Sequence, residues 1–134
     1  MAVFVDTNIF LRFLLADNAK QSPRCKKLFE NAQKGKIKLM TSEIVIAEIA
    51  WVLSSFYQES RQEVAEKLRQ ILLFRGINIP NREILLLATQ KFESQKVDFI
   101  DAYIYALSLR KKIKQIYSYD RDLDKFEGIK RLEP

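Results

Sequence analysis

Three observations predict an α/β fold with a parallel sheet for this 134-residue chain. Short apolar runs of strand length alternate with longer stretches that repeat apolar residues at helical spacing. Residues that cap or stop helices fall at the joints between them. The alternation itself favours a layered sandwich, because consecutive parallel strands need a helical crossover. No linker, internal repeat or low-complexity stretch interrupts the pattern, so a single domain over residues 1–134 is expected.

Ala2-Val3-Phe4-Val5 is the first strand candidate, closed by Asp6-Thr7-Asn8, residues that favour caps and turns. Ile9 to Ala16 reads as a short, largely buried helix. Ser22-Pro23 opens the next helix, with Ser22 as N-cap and Pro23 at the first helical position, and Gly35 stops it. Ile37 to Met40 is a second strand. Thr41-Ser42 leads into a long apolar helix over Glu43 to Tyr57, in which Trp51, Phe56 and Tyr57 are read as core. Ser60 and Glu63 have the spacing of a capping box before an amphipathic helix that runs to Phe74 and is stopped by Gly76. Ile77-Asn78-Ile79 is a third strand, ended by Pro80. Arg82 to Ser94 is a helix with Ile84, Leu85, Leu87, Ala88 and Phe92 facing inward. Asp98 caps a last helix over Phe99 to Lys112, and Ile116-Tyr117-Ser118 forms a strand before Tyr119-Asp120-Arg121-Asp122.

Composition narrows the chemistry. The chain has no histidine, which removes hydrolases with a His base and His-ligated zinc sites. Cys25 is the lone cysteine, so a disulfide framework is excluded and a reducing cytoplasm fits. With glycine only at positions 35, 76 and 128, neither a P-loop nor a G-x-G-x-x-G fingerprint can be written. The longest apolar run, Ala102 to Leu107, is too short to span a membrane. The first residues lack a basic stretch and are broken by Asp6, so no signal peptide is expected. Carboxylates, hydroxyls, amines or a bound metal are left to do any catalysis.

Several acids stand in apolar surroundings. Asp6 lies between two apolar runs, at the carboxyl end of the first strand, where α/β proteins place their ligands. Glu48 is the only charge from Ile44 to Leu53, and Asp101 is the only charge from Phe99 to Leu107. Asp120 follows the last strand candidate, with Asp122 two residues on. Singly, Asp6, Asp101 and Asp120 have local explanations as caps or turn residues. Glu48 lies mid-helix on a segment apolar nearly all round, which implies burial and a carboxyl that is protonated, paired with a cation or bound to a metal. Four or five converging carboxylates would repel one another without a cation. With neither His nor Cys to hand, oxygen ligation selects a hard ion, Mg²⁺ or Mn²⁺, and such sites suit phosphodiester hydrolysis. The net charge of +6 at pH 7 agrees with a polyanionic substrate. The cationic candidates are Arg12, the stretch Arg110, Lys111, Lys112 and Lys114, and Arg121 and Lys125 beside the last acids.

With these residues in view, the chain resembles a PIN domain. The resemblance rests on Asp6-Thr7-Asn8 after an initial strand, Ala47-Glu48, Asp101-Ala102 in a helix and Ser118-Tyr119-Asp120 near the end, in that order. Length and spacing resemble in particular the VapC ribonuclease toxins of type II toxin–antitoxin pairs. The resemblance implies a three-layer sandwich, with a central parallel sheet flanked by helices and an acidic pocket for Mg²⁺ or Mn²⁺. By position, Asp6, Glu48, Asp101 and Asp120 match the family's catalytic, metal-binding acids, and Asp122 matches an additional acid of some members. Thr7, Asn8 and Ser118 match residues that orient them, with Ser118 where Thr is common. It also implies cleavage of RNA, tRNA among the candidates, a homodimer, and a small antitoxin protein as partner. A PIN nuclease of RNA maturation or decay, and a non-catalytic RNA- or protein-binding domain of the same fold, are the alternatives. The small chain without appended domains favours the toxin. An aspartyl-phosphate enzyme would need a second Asp where Asn8 stands, and a receiver domain would need a Lys that Ser118-Tyr119-Asp120 does not supply.

Overall fold

The computed structural model describes residues 1–134, and the backbone divides into two compact units, Met1–Asn81 and Arg82–Pro134. In the first unit the elements follow in the order β1 (Val3–Phe4), α1 (Thr7–Leu15), α2 (Gln21–Gln33), β2 (Leu39–Met40), α3 (Glu43–Ser55), α4 (Arg61–Leu72) and β3 (Ile77–Asn78). The three strands pair in parallel in the order β1-β2-β3, Val3 opposite Leu39 and Leu39 opposite Ile77. Two helices separate each strand from the next, as parallel pairing requires.

Thr41 ties the carboxyl ends of these strands together. Its hydroxyl donates to the Val5 carbonyl at 2.9 Å and its backbone N–H donates to the Asn78 carbonyl at 3.1 Å. The Val5 N–H closes the set on the Met40 carbonyl at 2.8 Å. Buried polar groups need such partners, so a threonine that is itself buried fixes where the chain leaves β1 and Asp6 begins.

Helix starts follow local chemistry. Ser42 caps α3 by accepting from the Val45 N–H, and Ser60 and Glu63 form the reciprocal capping box of α4. Helix α2 departs from the expectation that Ser22 caps it. It begins at Gln21, and the Asn18 side chain accepts from the Lys20 and Gln21 N–H groups, while the Ser22 hydroxyl accepts from the Asn18 N–H. Asn18 thus orders the turn that leads into the helix, whose N-cap is Lys20, without a side-chain cap bond.

The core of this unit is built from Phe10, Ile46, Ile49, Leu53, Leu68, Leu72 and Ile77, all but sealed from solvent. Phe29 collects three rings, with centroids of Phe13 at 4.7 Å, Phe10 at 5.5 Å and Phe74 at 5.8 Å. Beside them lies an apolar cavity of about 330 Å³. Helix α3 corrects the expectation for its aromatic residues. Its inner face is Val45, Ile46, Ile49, Ala50 and Leu53, whereas Ile44, Trp51 and Phe56 are 79%, 66% and 76% exposed. The helix is apolar on more of its circumference than one packed face uses, so periodicity alone overstates its burial.

The second unit runs α5 (Arg82–Ser94), α6 (Phe99–Arg110), β4 (Gln115–Tyr117), a 3-10 helix (Arg121–Lys125) and β5 (Lys130–Leu132). Buried Ala88, Ala102 and Ala106 accompany the packing of α5 on α6. Strands β4 and β5 pair in parallel, Gln115 opposite Lys130 and Tyr117 opposite Leu132. Tyr105 stacks on Phe126 with centroids 4.2 Å apart, which seats the segment after the 3-10 helix on α6. The structure thus bears out the α/β class, with parallel pairing throughout.

Gly76 is required by close approach. A Cβ there would lie 2.5 Å from Cζ of Phe74 and 3.0 Å from the backbone nitrogen of Gln33. Gly76→Ala is expected to displace Phe74 from Phe29 and to cost about 1–3 kcal/mol in denaturant unfolding. An unchanged midpoint would show that Phe74 is free to move.

Candidate metal centre

In the second unit three carboxylates converge. Oxygens of Asp101, Asp120 and Asp122 lie within 4.8 Å of one another, close enough to share one ion. Each is placed by a local device. Asp98 caps α6 by accepting from the Asp101 N–H at 2.9 Å, which puts Asp101 in the first turn. Asp120 is the N-cap of the 3-10 helix and accepts from the Asp122 N–H at 2.9 Å, which brings these two acids side by side. Ser118 in turn accepts from the Asp120 N–H at 3.0 Å, so the expected orienting residue acts on the Asp120 backbone.

The electrostatics of this cluster are unfavourable as it stands. Asp101 is 8% exposed, while Asp120 and Asp122 are exposed. Burial pushes the Asp101 carboxyl up to about 6, with the neighbouring charges of Asp98, Asp120 and Asp122 adding to the effect. One ammonium answers these four acids directly: Lys125 lies 3.2 Å from Asp122. An all-oxygen donor set with a deficit of positive charge fits a hard divalent cation.

The first unit places Asp6, Thr7 and Glu48 together. Asp6 caps α1 and accepts from the Thr7 N–H at 2.7 Å. The buried Thr7 hydroxyl donates to Glu48 Oε2 at 2.7 Å across 41 residues of sequence. Thr7 therefore links both expected acids of this unit. Glu48 is exposed, on the same outward face of α3 as Ile44 and Trp51, which corrects the inference that it is buried. Its position is set by a hydroxyl, a bond between two elements that no local pattern announces. Asn8 is also exposed, on the wall of a recess of about 550 Å³ shared with Arg12 and Arg24.

The cationic candidates differ in their freedom. Arg12 is engaged by Asp17 at 3.1 Å and by the Tyr57 hydroxyl at 3.0 Å. Arg110 pairs with Glu83. Lys111, Lys112, Lys114 and Arg121 are exposed, and Lys125 adds a bond to the Lys96 carbonyl at 2.9 Å.

The Asp101 shift has a consequence for the metal-free protein. A carboxyl raised above its unfolded value stabilises the fold at low pH and loses that contribution as pH rises through about 6. In chelator, Asp101→Asn should therefore gain in melting temperature relative to the parent between pH 4.5 and 7.5. A difference that stays constant over that range would mean that Asp101 carries no penalty for its charge.

A family model for the PIN domain matches residues 3–129, running through both units. A search of curated proteins finds none that matches the chain. PIN domains are generally nucleases and usually use divalent metals, which agrees with the acid cluster. The chain belongs to the PIN domain family.

Proposed function

We propose that the protein is a Mg²⁺- or Mn²⁺-dependent endoribonuclease, and that it is the toxin of a type II toxin–antitoxin pair acting in the cytoplasm. The observation that carries the nuclease reading is the Asp101–Asp120–Asp122 cluster in a chain of this family. These three acids would hold the ion, and Asp6 and Glu48 are assigned catalytic roles as well. The chemistry such an ion supplies is activation of water and neutralisation of charge on the phosphodiester.

The chain's own residues supply order. Asp98 and Ser118 accept from the backbone N–H groups of Asp101 and Asp120 and so fix the backbone from which these two acids project. Thr7 engages Oε2 of Glu48 and leaves the other oxygen to a ligand or a water. Cations at the margin, among them Lys125 and Arg121, would hold phosphates flanking the one that is cut. The toxin reading is supported by the chain's resemblance to small RNA-cleaving toxins. An outward apolar face on α3, with Ile44 and Trp51, supports association with protein partners, a second copy of the chain and a small antitoxin.

Cleavage of a short unstructured RNA and of a tRNA pool, in Mn²⁺ and in EDTA, tests this reading. Cutting is expected in Mn²⁺ alone. Asp101→Asn and Asp6→Asn should remove it while the fold persists, and Thr7→Val should slow it about 10–100-fold by freeing Glu48. Cutting that survives EDTA or Asp101→Asn would overturn the proposal. Growth arrest on expression, relieved by a neighbouring small protein, is the result expected of a toxin.

A further inference from the structure

A second feature of the Arg82–Pro134 unit lies beside the acid cluster. A cavity of about 210 Å³ is lined by Lys91, Gln95, Tyr105, Lys125, Phe126 and Glu127. Its volume is below the roughly 300–1,000 Å³ of sites that enclose a whole small-molecule ligand, so it suits one group of a larger molecule.

Its floor is rigid. Tyr105 is buried, stacks on Phe126 and donates its hydroxyl to the Glu127 carbonyl at 2.9 Å. Two lysines line the cavity with it. Lys91 lies over the Tyr105 ring, 5.4 Å from its centroid, and is half-buried with no carboxylate or carbonyl bonded to its three N–H donors. Helix-end electrostatics and the ring favour a cation at that position, yet they leave every one of its donors free. Lys125 donates to the Lys96 carbonyl at 2.9 Å and forms an ion pair with Asp122 at 3.2 Å. Because Lys125 touches both Asp122 and the cavity, the cavity adjoins the acid cluster.

An anion with several acceptor oxygens satisfies this arrangement, and the acid cluster itself repels a polyanion. Flanking cations are what allow a strand to approach such a cluster. We propose that Lys91, Gln95 and Lys125 form a subsite for one backbone phosphate of an RNA strand, next to the phosphate presented to Asp101, Asp120 and Asp122. The Gln95 amide can donate alongside the two ammonium groups, and its backbone is fixed by an N–H bond to the Lys91 carbonyl at 2.9 Å. The identity of the strand as RNA rests on the nuclease reading above.

The test measures equilibrium binding of a fluorescein-labelled oligouridylate by anisotropy across a salt series. It uses an Asp101→Asn background in EDTA, so that the strand stays whole. Lys91→Gln keeps the stem over Tyr105 and removes the charge, Lys91→Arg restores it, and Lys36→Ala removes an exposed charge in the first unit as a control. Lys91→Gln should weaken binding roughly threefold to tenfold and reduce the slope of log K against log salt by about 0.7, the value for one phosphate of a single strand. Arg should recover both, and the Lys36 variant should change neither. Unaltered affinity and slope in Lys91→Gln would overturn the subsite. So would inorganic phosphate binding that depends on Lys91 while RNA binding does not, because the cavity would then take a free anion. Cleavage by the parent protein in Mn²⁺ is scored separately. A Lys91-dependent slope without cleavage keeps the subsite and rejects the nuclease, cleavage without that slope does the reverse, and absence of both rejects both.

Discussion

The repulsion among carboxylates in the Arg82–Pro134 unit is the constraint from which the rest of that unit follows. Asp101 is buried in the first turn of α6, where a charge is costly, and Asp98, Asp120 and Asp122 make it costlier. A chain selected only for stability would place a neutral residue there. Much of the local structure nevertheless maintains the cluster. The Asp98 cap fixes the start of α6, the Asp120 cap turns the chain into the 3-10 helix, and Ser118 holds the Asp120 backbone. Arg131 of β5 steadies the same segment through Asp124 at 3.0 Å and the Ser118 carbonyl at 2.9 Å. The cost at Asp101 is one that a divalent cation would offset.

The Met1–Asn81 unit treats its acids differently. Asp6 and Glu48 are exposed, so their charges remain hydrated, and order comes from Thr7, whose N–H and hydroxyl serve one acid each. Thr41 does comparable work within the sheet, binding the ends of the strands that lead to Asp6 and Ser42. Two buried threonines thus connect a three-stranded sheet of two-residue strands to the residues at its carboxyl edge.

What was legible in the sequence was what local chemistry decides. The α4 capping box, the Asp98 cap and the bounds of Arg82–Ser94 follow from residues within a few positions of one another. Glu48 and Asp101 stand out as isolated charges in apolar stretches, and Asp6, Asp120 and Asp122 as acids that follow strand candidates. Bonds between distant segments left no such mark. Glu48 looked buried because its helix is apolar, yet Thr7, 41 residues away, decides its setting. Trp51 looked like core because periodicity cannot tell a packed face from an exposed apolar one. Strand β5, Lys130-Arg131-Leu132, has two cations in three residues and declares itself only by pairing with β4. On α5 the pattern of apolar residues points Leu87 inward, whereas Thr89 is buried and Leu87 is only half-buried, and the proximity of Lys91 to Lys125 depends on how the 3-10 helix returns to α6.

A nuclease role for this protein requires the acid cluster to be a cation site. Calorimetric titration of Mn²⁺ into the metal-free protein at neutral pH, beside Asp101→Asn, measures this without reference to any substrate. A saturable heat in the parent protein that is lost or greatly weakened in the variant is the predicted result. Absence of saturable binding, or equal binding by both proteins, would contradict the claim that Asp101, Asp120 and Asp122 are held together to bind a metal.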